Sequence, residues 1–280
     1  MAVTIEQIKE LRAATGVGIA DCRKALTETD GDFEGAVKLL RERGAAVAAK
    51  RANKEANEGL IAAYVTEDGQ KGALIEVNCE TDFVARNEEF QEFVAGLAQK
   101  GLEVEDNKLA EAVSEELDAK VAAIGEKIVI PRNVNWSAEG TGLIASYIHM
   151  GGRVGVLLEL GCEKPETLTQ PAFLELAKDL TLHVAAVDPQ YLNRDEVPAN
   201  VVEAEQEIFR NQLAQENKPA NIIENILKGK TNKFFSQICF IEQGFVKEDK
   251  VAVKAYLAQK GKELGDTLSV RRFVRFQLGS

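Results

Sequence analysis

The spacing of apolar residues over the first 45 positions is that of helices with one buried face. The stripe of the first helix consists of Ile5, Ile8 and Leu11. A second helix is predicted over 19–29. A third begins after the N-cap Asp32 and ends before Gly44. Residues 1–45 are therefore predicted to form a three-helix N-terminal domain, a small bundle.

The segment 46–58 is rich in alanine and carries scattered lysine, arginine and asparagine with little periodicity. Such a stretch is typical of a connection without a core of its own. We expect a linker here, with the bundle mobile relative to the rest of the chain.

An internal duplication follows. Residues 59–65 recur as 142–148, and 72–80 recur as 155–163, both 83 positions further along. Ten of the sixteen paired positions are identical, whereas composition alone gives about one. Each copy contains two β-prone runs around a glycine-containing turn, followed by a helix with one apolar face, which predicts a repeated ββα unit.

Further strands are predicted at 127–131 and near the C-terminus, where Val274, Phe276 and Leu278 alternate with polar residues. The first copy then occupies 59–140 and the second 141–280. The predicted fold class is α+β: an N-terminal three-helix bundle that resembles the ubiquitin-associated fold, then a duplicated ββα core with antiparallel sheets and an inserted helical hairpin.

Between 198 and 235 two helical stripes flank a predicted turn at 217–219, which indicates a helical hairpin inserted into the second copy. Its apolar seam suits self-association or another partner, for example in a homodimer or a 2:2 complex. The alternative, a hairpin sealed on itself, remains equally open.

Composition narrows the possible ligands. The formal net charge of −11 argues against direct binding of nucleic acid, which depends on cationic side chains. The four cysteines lie far apart, and neither a metal site nor a disulfide framework is indicated. No apolar window is long enough to cross a membrane. We expect a cytoplasmic protein without cofactor that binds another protein.

The two copies differ after their second strand. Only the first continues with Thr81, Asp82, Phe83 and Val84; the second reads Lys-Pro-Glu-Thr at 164–167. In one interpretation Thr81 or Asp82 caps the next helix and Phe83 packs inward. In the other, an aromatic side chain and a carboxylate on a short turn project into a partner.

His149 stands where the first copy has Thr66. With only His149 and His183 in the chain, no nucleophile–base pair or metal cluster is indicated. Phosphate-binding glycine motifs are also absent from the sequence. We therefore expect a binding protein and no catalytic residues, with His149 as a contact residue at most.

Four motifs in order resemble one known family, the bacterial elongation factors Ts. They are TGVGIADCRKAL at 15–26, NCETDFVARN at 78–87, His149 before GRVGVL, and HVAA at 183–186. The resemblance spans nearly the whole chain and is far more specific than a single short motif.

The resemblance implies a guanine nucleotide exchange factor for elongation factor Tu. It implies that Arg12, Ile19 and Ala20 dock on the GTPase domain. It also implies that the segment 81–84, chiefly Asp82 and Phe83, intrudes near the bound Mg²⁺ of elongation factor Tu, and that His149 presses near its phosphate loop. A rival hypothesis is an adaptor whose bundle and hairpin bind proteins without affecting any nucleotide site.

Overall fold

The computed structural model describes residues 3–214 and 219–280, and within them the α+β class is confirmed. The helices are α1 Ile5–Thr15, α2 Ile19–Glu28, α3 Phe33–Arg51, α4 Asp82–Ala85, α5 Glu88–Lys100, α6 Leu109–Ala112, α7 Ser114–Ile124, α8 Pro171–Val187, α9 Ala199–Ala214, α10 Ala220–Ile238 and α11 Val253–Leu264. The strands are β1 Glu58–Val65, β2 Lys71–Cys79, β3 Ile128–Ser137, β4 Gly142–His149, β5 Val154–Cys162, β6 Gly244–Phe245, β7 Glu248–Ala252 and β8 Leu268–Gln277.

The first two helices begin where the sequence predicted. Thr4 caps α1 in a reciprocal capping box with Gln7. The third helix was predicted to end before Gly44, which is wrong: α3 continues to Arg51. The first residues of the predicted linker 46–58 are therefore helical.

Gly44 does not end α3 because its small size serves close packing. A Cβ atom at this position would lie 3.0 Å from the carbonyl oxygen of Asp118 and 3.4 Å from Ala122 on α7. The helices α3 and α7 thus touch backbone to backbone. Beyond Gly44, Val47 and Ala48 pack against the core of the first copy, so α3 is held on that copy.

The duplication appears as two antiparallel three-stranded sheets, β1-β2-β3 and β4-β5-β8. Their third strands correspond at an offset of 140 residues: Glu76 pairs with Arg132 across β2 and β3, and Glu159 with Arg272 across β5 and β8. The difference between the offsets of 83 and 140 reflects the insertion in the second copy that contains α9 and α10.

The two copies contact each other reciprocally, as the subunits of a two-fold symmetric dimer do. The amide of Ile61 donates to the carbonyl of Gly152 at 2.7 Å, and its counterpart Ile144 donates to the carbonyl of Gly69 at 2.8 Å. The apolar layer between the sheets consists of Ile61, Leu74, Ile144, Leu157 and Phe276.

The same symmetry relates two arginines on the third strands, each of which reaches across to the third strand of the other sheet. Arg132 lies 4.3 Å over the ring of Phe276, and Arg272 lies 4.5 Å over that of Trp136. The same guanidinium groups pair with the buried carboxylates of Glu76 and Glu159. The halves are therefore joined by matched packing and matched buried ion pairs.

The helices α9 and α10 pack on each other, and their base is closed by a small apolar cluster around Val197, Ile238 and Cys239. Ile208 and Ile222 remain exposed along the hairpin. Of the predicted turn at 217–219, only Pro219 lies within the described residues. The division of the chain into domains stays a prediction.

Candidate partner-binding site

The segment Thr81–Val84, here called the finger loop, leaves β2 and forms the start of the single helical turn α4. The hydroxyl of Thr81 accepts a bond from the amide of Val84 and caps the turn. That hydroxyl also donates to Glu126 at 2.7 Å, and the amide of Thr81 donates to the other oxygen of the same carboxylate at 3.0 Å. Both oxygens of Glu126 therefore hold the first residue of the loop.

A second carboxylate fixes the residue before the loop. Glu80 accepts from the amide of Lys127 at 2.6 Å and from the guanidinium of Arg51, the last residue of α3, at 2.7 Å. These partners, the backbone amide first, hold the pKa of Glu80 below its usual 4.5. Glu80 thus joins the end of α3, the end of β2 and the start of β3.

Phe83 projects away from the molecule. Its side chain is 82% exposed, the largest value among the exposed large hydrophobic residues of the described part. Val84 and Ala85 point inward to the core of the first copy, and Asp82 pairs with Arg86 at 3.0 Å. Full burial of a phenylalanine contributes about 1.5–3 kcal/mol, and the isolated chain leaves most of that unused.

The second copy has the same support but no aromatic tip. Its carboxylate Asp266, offset by 140 from Glu126, accepts from the amide of Lys164 at 3.1 Å and from the hydroxyl of Thr167 at 2.6 Å. Burial acts to raise the pKa of Asp266, but these hydrogen bonds outweigh it and lower the pKa. The counterpart of Phe83 is Glu166, which is exposed in a short 3-10 helix.

The last residue of β2 and the last residue of β5 are buried cysteines that make equivalent hydrogen bonds. Cys79 donates to the carbonyl of Thr81 at 3.2 Å, and Cys162 donates to that of Lys164 at 3.4 Å. Burial raises the pKa of Cys79 to about 12, so it remains a protonated donor. The end of each second strand is thus built in the same way, and only the exposed side chains differ.

His149 lies at the same end of the first sheet as the finger loop. The turn after it contacts β1 through the bond from Ile61 to Gly152 and an ion pair of Arg153 with Glu58 at 3.4 Å. Glu58 faces Cys79 across the β1–β2 ladder, and Cys79 precedes Asp82 by three residues in the chain. The ring of His149 is exposed, stacks on Tyr147 and shares a hydrogen bond of 3.1 Å with its hydroxyl.

The other predicted contacts are exposed on the bundle. Ile19 is 56% exposed at the start of α2, with Ala20 beside it, and Arg12 is exposed on α1. The bundle is joined to the finger loop through α3, whose Arg41 pairs with Glu115 of α7 at 3.1 Å and whose Arg51 pairs with Glu80. One continuous helix therefore links both predicted contact regions.

Comparison with known proteins gives one family. The model of the family described as elongation factor TS matches residues 80–280. Proteins named elongation factor Ts are 44% identical in Trichlorobacter lovleyi, over the whole of this chain and 93% of the relative, and 41% identical in Clostridium botulinum strain Alaska E43, over 99% and 93%. The protein of that name in Nitratidesulfovibrio vulgaris strain DP4 is 40% identical over 100% of this chain and 96% of its own length.

The chain belongs to the elongation factor Ts family. The resemblance inferred from four sequence motifs is thereby confirmed, and with it a role in translation elongation. The functional roles of the eight contact residues stay predictions.

Both interpretations of the finger loop were partly right about its geometry. Thr81 does cap the following turn, as the structural interpretation expected. The other part of that interpretation, in which Phe83 packs inward, is wrong. The reason is the single-turn length of α4: with Val84 and Ala85 committed to the core, the residue before them faces outward.

Sequence reasoning missed the supports Glu126, Glu80 and Arg51. A signal was present, because Gly125-Glu126 and Gly265-Asp266 recur 140 residues apart, each two residues before a third strand. Both glycines close their helices with positive φ. Because the insertion lies between the second and third strands of the second copy, this repeat has an offset of 140, not the 83 residues that relate the first two strands.

Within residues 3–214 and 219–280, no helix is long and apolar enough to span a bilayer. The same part contains no group of three or more histidine, cysteine, aspartate or glutamate side chains able to hold a metal ion.

Proposed function

We propose that this protein is the guanine nucleotide exchange factor of elongation factor Tu, and that it speeds the release of GDP without catalysing a chemical reaction. The main support for the proposal is the exposed side chain of Phe83, which lies on a short turn whose base is held by Glu126 and Glu80. Because the backbone at the base of the turn is already ordered, the entropy lost on binding is mainly that of the Phe83 side chain itself.

The finger loop acts as a wedge. GDP and its Mg²⁺ are held by phosphate-cradling amides and a near-octahedral ligand set, which tolerate only small displacements. Phe83 supplies apolar volume, and Asp82 brings a negative charge that competes for cationic partners. Insertion of both near the metal of elongation factor Tu weakens its hold on GDP.

Binding and release are coupled. A factor that binds the nucleotide-free GTPase best must lose affinity when nucleotide returns, because linkage is reciprocal. GTP or GDP therefore displaces the factor, and the factor speeds exchange in both directions. The cellular nucleotide pool then decides the direction.

The bundle and His149 supply the remaining contacts. Arg12, Ile19 and Ala20 dock on the GTPase domain and bring the finger loop to its target, while His149 contacts the region of the phosphate loop. Their support is geometric: α3 joins the bundle to Glu80, and the turn of His149 abuts the same sheet end. This partner interaction takes place where ribosomes translate, in the cytoplasm.

Self-association through the helical hairpin is a second proposal. Its support is that Ile208 and Ile222 remain exposed on α9 and α10. A homodimer, or a 2:2 complex with elongation factor Tu, would cover them. Light scattering of the protein alone and of the complex measures the stoichiometry, and a monomer in both would contradict this proposal.

The exchange proposal is tested by release of a fluorescent GDP analogue from elongation factor Tu in stopped flow. We expect the chain to accelerate release, and the double variant Asp82→Ala/Phe83→Ala to lose most of that acceleration while its thermal unfolding is unchanged. An unchanged rate in the double variant would remove the finger loop from the mechanism.

The adaptor hypothesis differs in one outcome. It allows binding of elongation factor Tu without any effect on the nucleotide. If the protein binds elongation factor Tu–GDP but the rate constant of GDP release stays at its intrinsic value, the adaptor explains the data and the exchange proposal does not.

A further inference from the structure

The duplication places a second helix-docking surface on the molecule. In the first copy, α7 and the start of β3 are covered by α3: Gly44 packs on Asp118, and the ammonium of Lys127 donates to the carbonyls of Ala52 and Lys54 at 2.7 and 2.8 Å. In the second copy the corresponding elements are α11 and β8. Leu117 and Val121 of α7 become Leu257 and Gly261 of α11 at the offset of 140.

In the described part of the chain α11 packs on β8, on α8 and on the short 3-10 helix Phe240–Glu242, but on no helix as extensively as α7 packs on α3. Beside the exposed face of α11 lies a groove of about 500 Å³, here called the α11 groove. Its floor and walls include Leu192, Ile241, Leu257, Ala258, Gly261, Leu268 and Val270. Residue exposure differs accordingly between the copies. Asp118 and Ala122, which contact α3, are half-buried, whereas their counterparts Ala258 and Lys262 are exposed.

The charge of the surface is reversed between the copies. The acidic α7 carries Glu115, Glu116 and Asp118 and receives the basic α3. At those three positions α11 has Ala255, Tyr256 and Ala258. The basic residues of α11 are Lys254, Lys260 and Lys262, and its one acidic residue, Glu263, pairs with Lys260 at 2.7 Å.

The lysines at the rim are available for a ligand. Lys254 and Lys262 line the groove and form no ion pair with the residues that the structure describes. Asp266 also lines it, but its carboxylate is engaged by Thr167 and by backbone amides of the same copy. The field in the groove therefore favours a negatively charged occupant.

We propose that the α11 groove docks an amphipathic helix of a partner protein, with a small-residue stripe against Ala258 and Gly261 and acidic residues beside Lys254 and Lys262. The occupant is the charge-reversed equivalent of α3. The reversed charge excludes α3 of a second copy as the ligand, because that helix is basic.

The probe is a peptide of residues 33–51, kept helical by a lactam staple on its outer face because an isolated helix lacks the tertiary packing that supplies most helical stability in proteins. In the acidic version it carries Arg41→Glu, Arg43→Glu, Lys50→Glu and Arg51→Glu; the basic version keeps the native residues. Fluorescence anisotropy measures the binding of each peptide to the full chain.

We expect the acidic peptide to bind at least about tenfold more tightly than the basic one, and this preference to invert in Lys254→Glu/Lys262→Glu. Ala258→Trp, which fills the groove without a change of charge, abolishes binding of either peptide. The control Lys228→Glu/Lys233→Glu makes the same change of charge on α10 and leaves the preference as it was. Thermal unfolding checks that all variants are folded.

Absence of binding by the acidic peptide overturns the proposal, as does binding that Ala258→Trp leaves intact. Sedimentation of the protein alone tests the other occupant: self-association lost in Lys254→Glu/Lys262→Glu would assign the groove to a second copy, against the proposal. Elongation factor Tu is absent from these assays, so their failure leaves the exchange proposal standing.

Discussion

The two ends of the duplicated core share one construction but present different side chains. At one end Glu126 holds Thr81, and at the other Asp266 holds Lys164 and Thr167. The supports agree down to the buried thiol of each strand, yet the exposed residue is Phe83 at one end and Glu166 at the other. The shared scaffold thus presents an exposed aromatic side chain at the first end only.

The largest expected effect comes from the tip itself. Phe83→Ala should lower the rate constant of GDP release at saturating factor by about 10- to 100-fold, equivalent to about 1.4–2.8 kcal/mol, because a central apolar anchor is lost. The matched change in the second copy, Glu166→Ala, should leave the rate unaltered. Equal effects of the two variants would end the functional distinction between the copies.

A smaller effect is expected at the supports. Glu126→Gln replaces an acceptor of the Thr81 bonds with a donor, so the finger loop loses its fixed geometry. We expect a loss of about three- to tenfold in the maximal rate of exchange with a smaller change in the concentration for half-maximal effect. Stopped-flow titration separates the two quantities.

Asp266→Asn is the control for that variant. It removes the same type of bond from the second copy, so the melting temperature should fall while the exchange rate stays constant. If Asp266→Asn slowed exchange as much as Glu126→Gln, the supports would act only through stability.

The contact of α3 with α7, which only the first copy has, gives a third prediction. Gly44→Ala places a Cβ atom 3.0 Å from the carbonyl oxygen of Asp118. The overpacking costs about 1–3 kcal/mol and exceeds the gain of about 0.5–1 kcal/mol from replacing a glycine inside a helix, so the protein should be destabilised. Gly96→Ala, in the interior of α5 with no atom within 4 Å of the added Cβ, should stabilise it by about 0.5–1 kcal/mol. Urea unfolding measures both, and a stabilising Gly44→Ala would contradict the close contact.

The smallest effect concerns pH. The pKa of Glu80 is lower in the folded protein than its usual 4.5, so its contribution to stability is complete above about 4.5 and is lost as the pH falls through the folded-state value. Amide exchange of residues 81–85 should therefore show lower protection in this acidic range, and Glu80→Gln should remove that pH dependence. Glu263→Gln changes a carboxylate whose pKa is also lowered, but which lies on α11, and should have no effect at the finger loop.

The sequence predicted much of the fold because hydrophobic period and internal identity are local signals. It placed the first two helices and the repeated hairpins within a few residues, and it located both added strands but covered less than half of β3 and of β8. It could not place the end of α3, because whether Gly44 ends a helix or allows close packing depends on Asp118, more than 70 positions away.

The candidate site, too, was predicted only in part from the sequence. The divergence between the copies pointed to Phe83, but only the fold shows that Val84 and Ala85 use the inner face of α4 and leave Phe83 outside. Glu126 and Arg51 reach the loop from distant segments; the repeat at an offset of 140 pointed to Glu126, whereas no repeat or periodic pattern points to Arg51. The α11 groove likewise became visible only when α7 and α11 could be compared as surfaces.

The role of the finger loop can be decided by the rate constant of GDP release from elongation factor Tu saturated with the variant Phe83→Glu/Glu166→Phe, in which the two counterpart residues are exchanged. We expect a rate near that of elongation factor Tu alone, with no rescue by the aromatic residue in the second copy. Release as fast as with the native chain would show that the position of the aromatic side chain does not matter, and the proposed exchange mechanism would be wrong.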